Sequence, residues 1–231
     1  ALVFGNSTID GDLTLTSTAT GATGITDTGT LDIRGTTTIS ASGVDITLNS
    51  AANNFQGAVG IDGSDVILVD AGTIDLGAST VTGTYNLTAG GSVTDSGALA
   101  ITGVTTIDAS SGNVTLNTAT NNFQGAVEID GVNVVVVDAG AIDLGASTVT
   151  GTYAVTATSG NISDSGNLAV TGAASFITGA SGSNIILDAS GNAFSNAVTL
   201  QADDGSEAFG DITFVDSGAV RLHSSAGANG D

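Results

Sequence analysis

Along residues 93–160 apolar side chains alternate with polar ones in short runs: Leu99 and Ile101, Val114 and Leu116, Val127 and Ile129, Ile142 and Leu144, Tyr153 and Val155. A period of two, held over a few residues at a time, predicts β-strands with one buried face. The runs are rich in Val, Ile and Thr, whose branched β-carbons suit a pleated surface. Turn signals such as "DSG", "SSGN", "NNFQG", "DGVN" and "DAG" separate them. The spacing predicts a strand about every seven or eight residues, and no helical i, i+3, i+4 stripe competes with it.

The same alternation recurs at long range. Residues 53–85 align with 121–153 at a shift of 68, and 27 of 33 positions are identical. "DTGTLDIRG" (27–35) matches "DSGALAITG" (95–103) and "DSGNLAVTG" (164–172). "LVFGNSTIDGDLTLT" (2–16) matches "IDLGASTVTGTYNLT" (74–88), and "VDSGAVRL" (215–222) matches "VDAGAIDL" (137–144). The chain therefore divides into a partial copy (1–24), two close copies (25–92 and 93–160) and a diverged copy (161–231), with no linkers between them.

Short strands in linkerless copies predict one all-β array, a right-handed parallel β-helix (β-solenoid) with about three strands per coil. A coil of about 23 residues makes the period three coils, so Ile74 and Leu76 are expected to stack in line with Ile142 and Leu144. About ten such coils, at strand spacing, make a rod on the order of 50 Å long. Each coil buries its inner residues only against its neighbours, which makes the array the folding unit. The chain has no Pro, as interior strands that donate every N–H require.

The recurring "DSGALAITGVTTIDASSGNVTLNTATNNFQGAV" and "DAGAIDLGASTVTGTY" resemble repeats of filamentous-haemagglutinin-like bacterial adhesins, many of them exported by two-partner secretion. The resemblance covers nearly the whole chain. It implies a shaft, secreted unfolded to the cell surface or extracellular space, that holds out an adhesive tip or binds cells and matrix. A carbohydrate or a cell-surface receptor is the partner this implies. The alternative reading is a self-assembling extracellular filament or sheath subunit that polymerises through coil edges.

Charge narrows the partners. The chain carries 23 acidic residues against two Arg and no Lys, a net charge of −21. That repels nucleic-acid phosphates and anionic membrane surfaces. No segment reaches the roughly 18 apolar residues of a membrane-spanning helix, so membrane insertion is not expected. Without Cys there is no disulfide framework and no thiolate metal site.

Chemistry has few carriers. His223 is the one histidine, and no "GxSxG" nucleophile turn is present. An enzyme is not expected, nor a resident cofactor. Asp70, Asp138 and Asp216, and likewise Asp27, Asp95 and Asp164, precede turn-forming pairs and are expected to cap their own turns. Ca2+ is the metal an Asp-rich β-helix would take, but it needs about six to eight oxygens and the glycine-rich calcium nonapeptide is absent. In the diverged copy "QADDGSEAF" (201–209) lies where residues were gained, and Arg221 and His223 replace Asp143 and Gly145. Asp203, Asp204, Glu207, Arg221 and His223 are thus a candidate recognition loop, set against drift on a solvated face.

One departure from alternation is apolar. In "DVILVD" (65–70) and "NVVVVD" (133–138), Ile67, Val69, Val135 and Val137 are expected to point outward. Three coils apart, the two pairs would form one exposed stripe about 14 Å long, a candidate surface for lateral self-association.

Overall fold

The computed structural model describes residues 1–18, 24–203, 209–219 and 221–222. All its regular elements are strands. Every strand pair is parallel, and the strands form two fourteen-stranded sheets and one three-stranded sheet. A strand pairs with the one a coil earlier: Leu2 with Ile25, Ile25 with Ile46, Ile46 with Val66, Val66 with Tyr85. This is a β-solenoid with three strands per coil, as the alternation predicts.

The core is the inside of the coil. In Val66–Asp70 the inward Val66 and Leu68 are buried, while Ile67 faces out. Stacked Val, Ile and Leu continue through nearly the whole described chain, joined by Phe55, Tyr85, Phe123, Tyr153 and Phe176. Glycines let corners stack closely: a Cβ at Gly103 would strike the Gly83 carbonyl, and one at Gly125 the Gly103 carbonyl.

A coil has unequal sides. One side is a long strand of four to six residues, such as Thr37–Ser40 or Tyr85–Ala89. The other consists of two short strands and a tight corner, such as Ile74–Leu76 followed by Ser79–Val81. The order normally alternates. Twice it does not: Val59–Gly63 is followed directly by Val66–Asp70, and Val127–Gly131 by Val134–Asp138. There a long strand must carry the short pair of the next coil. Val59 pairs with Leu76, whereas Asp62 and Gly63 pair with Thr80 and Val81. Val127 pairs with Leu144, whereas Asp130 and Gly131 pair with Thr148 and Val149.

The consequence corrects the expected coil count. One period holds three complete coils plus one extra long strand, or three and a half coils. Equivalent residues of successive copies therefore lie on opposite sheets. Ile74 and Leu76 stack in one sheet, Ile142 and Leu144 in the other. They are not in line.

Each exchange leaves a gap in the ladder, because the short pair turns its corner over the middle of the long strand. A buried serine fills it. Ser79 Oγ accepts the Ile61 N–H at 3.0 Å and donates to the Gly77 carbonyl at 3.0 Å. Ser147 Oγ accepts the Ile129 N–H at 3.0 Å and donates to the Gly145 carbonyl at 3.2 Å. The repeated "LGAST" encodes this corner.

Candidate functional site

The most strongly repeated polar arrangement is internal. Asn53, Asn121 and Asn192 are fully buried. Each offers its Nδ2 to a carboxylate one coil earlier, at 2.6 Å: Asn53 to Asp27, Asn121 to Asp95, Asn192 to Asp164. Each Oδ1 accepts a buried backbone N–H, from Leu31, Leu99 and Leu168. The same carboxylates also accept backbone N–H groups of the next coil: Asn49 and Ser50, Asn117 and Thr118, Asp188 and Ala189. So Asp27, Asp95 and Asp164 do not cap their own turns, as their sequence context suggested. They cap a turn about 22 residues later and bind coil to coil.

The second Asp set combines both roles. Asp70 and Asp138 accept their own-turn N–H from Gly72 and Gly140, at 2.7 Å. Their other oxygens accept the Phe55 and Phe123 N–H groups, also at 2.7 Å. Asp216 repeats the arrangement with Gly218 and Phe194. Burial pushes the Asp70 and Asp138 carboxyls above the ordinary range, and these N–H donors oppose it. Exposed Asp12 and Asp65 are held below the range by the N–H and hydroxyl of Thr36 and Thr84. The repeated Asp residues are thus structural joints whose partners lie in another coil, a separation that turn signals do not encode. Among the described residues no three His, Asp or Glu side chains gather as a metal-ligand group.

The outward aliphatics keep their predicted direction but not their common face. Ile67 is 41% exposed, and Val69, Val135 and Val137 are half-buried. Val66–Asp70 belongs to the first large sheet and Val134–Asp138 to the second. The expected single stripe is two separate pairs on opposite sheets. Ile67 lies between Thr47 and Asn86, and Val135 between Thr115 and Ala154.

Of the candidate recognition loop, Asp204, Glu207 and His223 lie outside the described residues. The Asp203 carbonyl accepts the Gln201 side-chain amide at 3.3 Å. Arg221 is exposed in Arg221–Leu222, beside Ala197 of the preceding coil. A depression of about 140 Å³ is lined by Ser110, Asp130, Gly131, Thr148 and Thr150. One of about 80 Å³ is lined in part by Asp108, Glu128 and Asp130. Both fall below the roughly 300 Å³ at which small-molecule pockets begin.

The comparisons agree with the period. No curated protein and no solved structure matches the chain. A family described as repeats of unknown function (DUF5649) matches residues 1–62, 63–130 and 131–201. Its boundaries fall next to the Asp62-Gly63 and Asp130-Gly131 pairs, where the long side changes sheet. Within residues 63–130 all long strands lie in the first large sheet, and within 131–201 all lie in the second. One family repeat is therefore one block of constant orientation. With tandem matches over most of its length, the chain belongs to the DUF5649 repeat family.

Proposed function

We propose that this protein is a non-catalytic structural shaft, part of a large exported bacterial surface adhesin or fibre that attaches cells to one another or to matrix. The observation that carries this reading is the repetition of its joints. The Asp–Asn clamps and the corner serines recur from copy to copy and bind one coil to the next. A site for one substrate would be single and concave; these are multiple and internal. The resemblance to haemagglutinin-like repeats and the strongly acidic composition support placement outside the cell.

The test is the size and location of the native polypeptide. Denaturing mass measurement and protease shaving of intact cells are expected to give a chain of thousands of residues that is removed from outside. A polypeptide near 231 residues recovered as an extracellular polymer would favour the filament-subunit reading. A short chain protected inside the cell would overturn both.

A further inference from the structure

We propose that the outer face of Val134–Asp138, Tyr153–Ala157, Ala174–Thr178 and Ala197–Ala202 is a weak lateral contact surface for a second copy of this chain. These long strands stack in register. One outward row runs Thr115, Val135, Ala154, Ser175, Thr199. The row beside it runs Val137, Thr156, Ile177, Gln201. These nine are half-buried and none is charged; the nearest carboxylate in register with the longer row is Asp75, two strands before Thr115. At strand spacing the longer row covers about 19 Å of the axis.

The matching face of the first sheet differs. It starts with Ile67 and Val69, but its rows continue into Asp108, Glu128 and Asp130. This contrast selects the occupant. On a molecule of net charge −21, a like-charged copy that approaches the acidic rows brings carboxylates together within a Debye length of about 10 Å. On the uncharged rows that repulsion is least. A cationic partner would gather on the acidic rows instead. The β-branched residues suit sheet-on-sheet packing at about 10 Å.

Size sets the strength. Two rows cover about 200–300 Å² per partner, against roughly 800 Å² in a stable complex. A single pair of faces is therefore weak, and affinity grows when several repeats engage together. The half-turn between repeats places successive long-strand faces on opposite sides of the rod. Within this chain only the block 131–201 presents the uncharged rows, so the expected product is a pair joined through the second sheet.

Sedimentation velocity up to about 1 mM protein, at low salt and at about 0.5 M salt, tests it. The expected result is concentration-dependent dimers that strengthen with salt. The double variant Val135→Asp/Ile177→Asp is expected to raise the dimer Kd at least about tenfold, while Ile67→Asp leaves it unchanged. The chain has no Cys, so Ser175→Cys is expected to form disulfide-linked dimers readily and Thr88→Cys, on the other sheet, is not. If the Asp variant does not keep the wild-type circular dichroism, the cysteine pair decides. A monomer at every salt and concentration, dimers indifferent to Val135→Asp/Ile177→Asp, or equal cross-linking at Thr88 would each overturn the proposal. A glycan or foreign protein bound to this face without self-association would overturn it as well.

Discussion

Ser147→Ala is the sharpest probe of the change of side. The side chain is 3% exposed and makes two bonds, accepting the Ile129 N–H and donating to the Gly145 carbonyl. Its removal takes away one small polar atom but leaves a buried backbone N–H without an acceptor. Orphaning such a group costs about 1–3 kcal/mol, whereas the lost neutral hydrogen bond alone is worth about 1 kcal/mol. The expected destabilisation is thus about 2 kcal/mol. Ser79→Ala should cost about the same, because Ser79 repeats both bonds at the first exchange. Exposed Ser165→Ala, whose hydroxyl holds neither exchange, should stay within about 0.5 kcal/mol. Repeat arrays can lose cooperativity, so the assay is amide hydrogen exchange resolved by residue, alongside urea denaturation. Protection of the Ile129 amide should fall most in Ser147→Ala, and that of Ile61 in Ser79→Ala. If both variants behave like Ser165→Ala, the corner serine does not hold the exchange.

The clamps predict a larger effect. Asn121→Ala removes the donor to Asp95 and orphans the Leu99 N–H, a cost of about 2–4 kcal/mol by urea denaturation. Exposed Asn117→Ala, whose backbone N–H still reaches Asp95, should lose little. For pH, the raised carboxyls of Asp70 and Asp138 contribute stability that is fully present below their unfolded pKa and is lost as pH rises through the folded one. Asp12 and Asp65, held low, contribute stability present at neutral pH and lost as pH falls through their depressed values. Acidification from neutrality toward the ordinary carboxylate range should therefore raise the wild-type Tm relative to Asp70→Asn/Asp138→Asn; a pH-independent difference would refute the assignment. The Tyr85 hydroxyl is buried with no hydrogen-bond partner among the described residues. Tyr85→Phe should therefore leave the Tm equal or higher, and a clear drop would mean the hydroxyl is bonded in solution.

The sequence by itself determined the strands, their inward residues and the 68-residue period. Alternation is local chemistry: Val66 and Leu68 turn in and Ile67 turns out whatever the rest of the chain does. The sequence also marked the corner, since "LGAST" recurs unchanged. Which side of the rod a strand occupies is a different quantity. It accumulates over every corner in the period, and a period-two pattern carries no information about corner angle. Counting three coils instead of three and a half left the alternating runs correct as strands and their faces half a turn wrong, so Ile67 and Val135 moved to opposite sheets. The Asp residues were legible as turn chemistry, yet Asp95 bonds a turn 22 residues away. Only the stacking of coils brings that turn within reach of its carboxylate.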